Sequence, residues 1–225
     1  MPQDSKSVRA YVADVAESVA GLGYGHGRDL YLDLLASPND SPMTKESEGH
    51  LWSCALTVRG IMRKLGVEHR EIDRPYTFTG PHSCDAMTRL ETIGVDFKAL
   101  IEAGSPMLLP SCGDFVMVKQ GFHVLTFTTS PTRGDDGVTR VDTVEGGQKD
   151  AGGMCIQSFA GKILHVERGQ LFLSGSPIWK WIDCTRLGIV VPGDTTPDRV
   201  FGGSVIDLPS EHLGDPSDDG ESGAA

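Results

Sequence analysis

The spacing of hydrophobic residues changes from helical to strand-like near the middle of the chain. Apolar side chains recur every three or four positions over residues 5–20, 29–35, 53–66 and 85–103, a spacing typical of amphipathic helices. Gly66 follows the third of these segments and marks its end, because glycine readily adopts the conformation that closes many helices. The first half of the chain is therefore predicted to be helical, with polar loops between the helices.

In the second half, short runs rich in β-branched and aromatic residues alternate with turn residues, which is typical of antiparallel strands. These runs cover residues 113–118, 123–128, 139–145 and 154–159. Further apolar segments at 171–172, 179–182 and 187–191 are expected to extend or cover an edge of the same sheet. Helices followed by strands predict an α+β fold with a small antiparallel sheet.

Composition divides the chain into one domain and a short tail. With 225 residues and 39% hydrophobic content, the chain is long enough to bury a sizeable core. From Pro209 onward Asp, Ser, Gly, Pro and Ala dominate, so this segment cannot bury enough apolar area to offset the entropy lost on ordering. We predict a single domain over residues 1–208 and a disordered acidic tail over residues 209–225.

The charge balance and the N-terminus exclude several classes of partner. Lys and Arg total 20 against 31 Asp and Glu, and the formal net charge of -11 argues against a nucleic-acid partner. No segment has the length and hydrophobicity of a membrane span, and the first residues lack the charged and apolar regions of a secretory signal. The protein is therefore expected to be made in the cytoplasm and to have no membrane span.

The cysteines, histidines and glycines point away from disulfides, metals and cofactors. No C-x-x-C pair is present among the five cysteines, which lie at positions 54, 84, 112, 155 and 184. His82-x-Cys84 and His165-x-Glu167 lack the second ligand pair that zinc sites use. Residues 21–27 are rich in glycine but follow a helix and contain no lysine, so they are interpreted as a turn rather than a phosphate-binding loop. We predict reduced thiols, no metal and no cofactor.

Cys54 is the candidate nucleophile, because it falls in the first turn of the helix predicted over residues 53–66. There the free N–H groups and the positive end of the helix dipole stabilise a thiolate, and the same N–H groups can hold an oxyanion. His123, on a later strand, is the candidate base that takes the thiol proton. Its second ring nitrogen needs a carboxylate or amide on a neighbouring strand, and three residues are candidates: Glu145, Asp142 and Gln148. Asp142 and Glu145 are three residues apart, so in a regular strand only one of them faces His123.

Three segments resemble the NlpC-like and CHAP-type (cysteine, histidine-dependent amidohydrolase/peptidase) families of the papain-like superfamily. They are Gly113-Asp114-Phe115-Val116-Met117-Val118, Gly121-Phe122-His123-Val124 and Val144-Glu145-Gly146-Gly147-Gln148. The resemblance covers residues 49–159 and implies a papain-like cysteine hydrolase fold, in which N-terminal helices carry the nucleophile at a helix N-terminus against a small antiparallel sheet. It also implies Cys54, His123 and Glu145 as the catalytic residues, although Gly147 stands where the family usually has asparagine.

The resemblance implies hydrolysis of an amide bond through a thioester on Cys54, in a peptidoglycan stem peptide or in the N-acetylmuramoyl-alanine amide. A cell-wall-degrading amidase of this kind without a secretion signal would be released by lysis, or injected as a toxin effector with a delivery or immunity protein as partner. The third possibility is a cytoplasmic substrate. Two alternatives remain. One is a thioester-forming acyltransferase. The other is a non-catalytic binding or structural module in which Cys54 belongs to the core and Trp179 and Trp181 form a ligand platform, although two such rings more often cap one face of a sheet.

Overall fold

The structure, a computed structural model, describes residues 5–36, 53–67, 94–96, 109–118 and 123–192. Its helices are α1 (Ser5–Glu17), α2 (Arg28–Leu35) and α3 (Ser53–Lys64). The three helices predicted in these regions are confirmed, because the apolar positions of each lie on one buried side. Examples are Val8, Val12 and Ala16 in α1, Leu32 and Leu35 in α2, and Leu56, Ile61 and Met62 in α3. Within the described segments, none of the helices has the length and apolar character needed to cross a bilayer.

In the described part of the chain, eight strands follow the helices. They are β1 (Gly94–Asp96), β2 (Phe115–Val118), β3 (His123–Phe127), β4 (Thr132–Arg133), β5 (Thr139–Asp150), β6 (Gly153–Glu167), β7 (Gln170–Leu173) and β8 (Ser176–Ile182). A short 3-10 turn at Cys184–Arg186 comes after β8. The four main strand runs are therefore confirmed, and β5 and β6 extend well beyond the predicted runs into one long hairpin.

Six of the strands close into an antiparallel barrel. Their order around the barrel is β8-β2-β3-β5-β6-β7, and β7 pairs with β8 again through Phe172↔Pro177 and Leu173↔Ser176. β1 adds to β8, and β4 adds to β5. Closure leaves each barrel strand with a neighbour on both sides, which removes the exposed edges of an open sheet.

The predicted papain-like α+β fold is wrong, because that fold places helices against a small open sheet. The described residues instead form a closed six-stranded antiparallel barrel with three short helices. Closure depends on the pairing of β8 with both β2 and β7, between segments as far apart as Phe115 and Ile182. Local apolar spacing carries no information about such distant partners.

One local prediction also fails. Residues 94–96 lie within the helix predicted over 85–103, yet they form β1 and pair with β8 from Gly94↔Ile182 to Asp96↔Lys180. Pairing to a distant strand here overrides a weak local helical spacing. The segment expected at 187–191 to extend or cover an edge forms no strand, but Ile189 is buried in the core cluster that contains the helices. The rest of 85–103 and the tail from Pro209 lie outside the described residues.

The barrel wall separates two hydrophobic clusters. The interior cluster contains Val116, Val118, Leu125, Phe127, Val141, Leu164, Leu171, Leu173, Ile178 and Trp181. The helices pack on the outside of one side of the wall, against Phe115, Met117, Val124, Val144, Ile156 and Ile182. Side chains that alternate along each of these strands therefore face either the interior or the helices.

The tryptophans of β8 do not cap a common face as expected. Met117 of β2 lies opposite Lys180, but the next residue, Val118, lies opposite Ile178, so Trp179 is an extra residue in β8. This bulge leaves Trp179 37% exposed, while Trp181 is 3% exposed in the barrel interior. A one-residue bulge changes which face the following side chains occupy, and the sequence gives no sign of it.

An arginine on α1 ties the helices to the barrel. Arg9 donates to the Asp114 Oδ1 atom at 2.6 Å and to the Asp183 Oδ1 atom at 2.9 Å. The buried Asp114 carboxylate also accepts the backbone N–H groups of Ser111 and Cys184. Burial raises the pKa of Asp114, although these N–H groups and Arg9 favour its charged form. The cluster therefore holds α1 against the start of β2 and the end of β8.

We expect Arg9→Met to lower the free energy of unfolding by about 2–3 kcal/mol, because it leaves the Asp114 charge buried with no cation beside it. Urea denaturation at neutral pH measures the change. The matched control is Arg140→Met, which removes an exposed pair with Asp136 and should leave stability nearly unchanged. Equal losses in both variants would contradict a stabilising role for the buried cluster.

Candidate active site

The site lies where two neighbouring strands of the barrel separate. β3 pairs with β5 only through Thr126↔Val144 and Phe127↔Thr143. The first half of β3, from His123 to Leu125, has no partner on β5. Helix α3 packs against both strands, and its first turn brings Cys54 next to Val124 of β3.

The separation leaves a backbone donor aimed at Cys54. The Phe127 N–H donates to the Asp114 carbonyl across the β2–β3 pair. The N–H groups of successive residues in an antiparallel strand point to alternate sides. The Val124 N–H therefore points to the side opposite that of Phe127, away from β2. It donates to the Cys54 sulfur, as does the Ala55 N–H in the first turn of α3.

Cys54 is 8% exposed and forms a hydrogen bond with His123. Burial alone would raise the pKa of its thiol. The hydrogen bond and charge of His123, together with the Val124 and Ala55 N–H groups, outweigh burial and lower that pKa below its usual range. These contacts favour a thiolate in the first turn of α3.

His123 is the first residue of β3, and its side chain points to the interior side of the wall, as those of Leu125 and Phe127 do. Its Nε2 atom lies 2.9 Å from Glu145 Oε2, so Nδ1 is the ring nitrogen left for Cys54. Burial would lower the pKa of His123, but the hydrogen bonds and charges of Cys54 and Glu145 raise it to about 9. The imidazolium is therefore favoured at neutral pH.

Glu145 faces the same side of the wall from β5 and is 3% exposed. Besides His123, its carboxylate accepts the Thr143 hydroxyl at 2.8 Å and forms an ion pair with Lys162 of β6. Burial would raise the pKa of Glu145, but His123 and Lys162 hold it down at about 2. The carboxylate is therefore charged throughout the ordinary pH range.

The two rivals of Glu145 have other roles. The Asp142 carboxylate accepts the backbone N–H of Gly161 at 2.7 Å and makes no contact with His123 in the structure. Gln148 donates to Glu145 Oε2 at 3.4 Å, so it touches the carboxylate rather than the imidazole. The geometry brings Cys54, His123 and Glu145 together and makes Glu145 the partner of the imidazole.

Sequence reasoning missed Thr143 and Lys162. Both could have been found by counting the β5–β6 hairpin outward from Asp150↔Gly153, which places Lys162 opposite Val141. Val141, Thr143 and Glu145 are two residues apart, so they share one face with Lys162. Lys162 was missed because the strand run predicted in this region ends at Phe159.

The other described cysteines lack these features. Burial raises the pKa of Cys112, Cys155 and Cys184. Arg9 partly opposes the effect of burial at Cys112 and Cys184, and a Gln157 hydrogen bond partly opposes it at Cys155. These thiols fit the inert structural role that the sequence predicts, whereas Cys84 lies outside the described residues.

One well-formed cleft of the described residues does not contain the candidate site. Its volume is about 590 Å³, and it lies toward the other end of α3, between Leu22, Leu30, Leu34, Gly60 and Arg63. The residues that adjoin α3 in sequence, 37–52 and 68–93, lie outside the described residues. The site is therefore defined here by its reacting groups alone.

Comparisons with protein-family models, characterised proteins and solved structures gave no match. The resemblance to the NlpC-like and CHAP-type families therefore remains a prediction from its motif residues.

Cys54 is expected to react with iodoacetamide at lower pH than Cys112, Cys155 and Cys184, because the thiolate is the reactive form. Mass spectrometry of peptides after brief alkylation over a pH series gives the rate at each cysteine. His123→Ala should move the Cys54 profile to higher pH, since it removes the imidazolium. A Cys54 profile that matches the other three would contradict the thiolate assignment.

Glu145→Gln should lower the pKa of His123, because it removes the negative charge that favours the imidazolium. A pH titration of the His123 ring by NMR, starting from about 9 in the native protein, measures the shift. Asp142→Asn is the matched control, since it removes one carboxylate from the same strand without touching the imidazole. If Asp142→Asn gives the larger shift, Glu145 is not the principal partner.

Proposed function

We propose that this protein is a cysteine-dependent amidohydrolase or peptidase that cleaves an amide bond through a thioester on Cys54. The observation that carries the proposal is the chain of contacts from the Cys54 thiol through His123 to the buried carboxylate of Glu145. A core cysteine needs neither a hydrogen-bonded imidazole nor a carboxylate behind that imidazole.

The first half of the reaction forms the thioester. The Cys54 thiolate attacks the carbonyl carbon, and N–H groups in the first turn of α3 stabilise the oxyanion. The C–N bond then breaks, and the His123 imidazolium gives its proton to the departing amine. Glu145 keeps the imidazole in one orientation throughout.

The second half restores the enzyme. Neutral His123 takes a proton from water, and the resulting hydroxide attacks the thioester carbon. The C–S bond breaks, which releases the acid product and returns Cys54 to the thiolate beside a protonated His123. If an amine replaced water, the same thioester would lead to acyl transfer.

The proposed substrate class is the amide bonds of peptidoglycan, either in the stem peptide or in the N-acetylmuramoyl-alanine linkage. The support is the motif resemblance in residues 49–159. A toxin effector role, with a delivery or immunity protein as partner, belongs to the same proposal.

Cys54→Ala should abolish release of amine groups from purified peptidoglycan fragments, because the side chain that forms the thioester is missing. Circular dichroism should show an unchanged fold, since a small helix-forming residue replaces Cys54. Mass spectrometry of the products distinguishes water from an added amine as the acceptor. Hydrolysis that persists in Cys54→Ala would exclude the cysteine mechanism, and loss of folding would favour a core role for Cys54.

A further inference from the structure

Lys162 lies at the site without a role in the reaction described above. It comes from β6, the strand next to β5 in the barrel, and its side chain is 22% exposed. Its ammonium forms an ion pair with Glu145 Oε1, while His123 Nε2 forms a hydrogen bond with Glu145 Oε2. The Thr143 hydroxyl also donates to Oε1. Both carboxylate oxygens are therefore engaged, with a cation on each side.

A bulge in β6 gives Lys162 this position. Thr143 lies opposite Phe159, but Val141 lies opposite Lys162, so β6 contains one extra residue between these pairs. Gly161 occupies the bulge with φ +67°, a backbone conformation that glycine adopts without strain. Its N–H is held by the Asp142 carboxylate. Asp142 therefore fixes the bulge that directs Lys162 toward Glu145.

The Lys162 ammonium also contacts an aromatic ring. The Lys162 ammonium lies 4.5 Å from the centre of the Phe159 ring, within the range of a cation–π contact. Phe159 and Lys162 occupy the same side of the wall because of the bulge. The amino group is therefore placed by two contacts, one with Glu145 and one with Phe159, rather than extended into solvent.

The reaction creates a need for this second cation. His123 must lose its proton to the leaving amine, and at that stage the buried Glu145 charge no longer faces an imidazolium. A buried carboxylate without a cation is costly and takes up a proton instead. Lys162 remains beside Glu145 through this stage.

We infer that Lys162 is a positioning residue, which keeps Glu145 ionised and aligned on His123 while the imidazole is neutral. The inference rests on the proposed cysteine hydrolase function. Among the described residues, the titratable groups that act on one another here are Cys54 from α3, His123 from β3, Glu145 from β5 and Lys162 itself from β6.

The test is Lys162→Met, with Lys162→Arg as the conservative variant. Loss of the cation disfavours the Cys54 thiolate and favours the His123 imidazolium. We expect alkylation of Cys54 to slow several-fold at pH values below the native titration, and the NMR titration of His123 to move above its native midpoint. Lys162→Arg should restore both. Lys180→Met is the matched control, because Lys180 also lies over an aromatic ring, that of Trp179, but belongs to β8.

The outcomes separate the two proposals. If native Cys54 reacts at neutral pH and Lys162→Met leaves both profiles unchanged, Lys162 is not a positioning residue and the hydrolase proposal survives. If native Cys54 forms no thiolate at neutral pH, the hydrolase proposal itself fails. If Lys162→Met does not fold, Lys162→Gln removes the charge while keeping a hydrogen-bonding side chain, and the same two profiles decide.

Discussion

The site depends on an interruption of pairing between β3 and β5. These strands are neighbours in a closed barrel, yet they share only two residue pairs, Thr126↔Val144 and Phe127↔Thr143. An uninterrupted ladder would use the Val124 N–H for a strand partner and would separate α3 from the interior side of the wall. Because the strands part, the sulfur of a residue on the outer helix meets a histidine that faces inward.

Charge balance stabilises these ionised groups in a buried position. The thiolate of Cys54, the imidazolium of His123, the carboxylate of Glu145 and the ammonium of Lys162 alternate in sign and sum to zero. Isolated charges in such a place would be neutralised by proton transfer, whereas alternating charges stabilise one another. The raised pKa of His123 and the lowered pKa of Glu145 are two results of the same arrangement. The site is thus nearly neutral within a protein of formal net charge -11.

The grouping of the candidate-site residues could be predicted from the sequence further than the fold could. The Cys54 helix, the His123 strand and Glu145 as one of three candidates follow from apolar spacing and residue type, which are local properties. Closure of the barrel depends on β8 meeting β2 and β7, and no local pattern identifies those partners. Catalytic constellations recur on unrelated folds, because they need a few groups in the right geometry rather than one architecture. The wrong fold prediction therefore leaves the argument for Cys54 and His123 intact.

The side chains around Glu145 depend on two bulges in one hairpin. The first adds a residue to β5 between Glu145 and Gln148, and the second adds one to β6 before Lys162, so the register is restored beyond them. With the first bulge alone, Gly161 would lie opposite Val141 and Lys162 would face away from Glu145. With neither, Lys162 would keep its face, but Gln148 and Phe159 would turn to the other side. Only the two together place Gln148, Phe159 and Lys162 on the face of Glu145, which is why uniform alternation along β5 and β6 predicts the position of Lys162 but not those of Gln148 and Phe159.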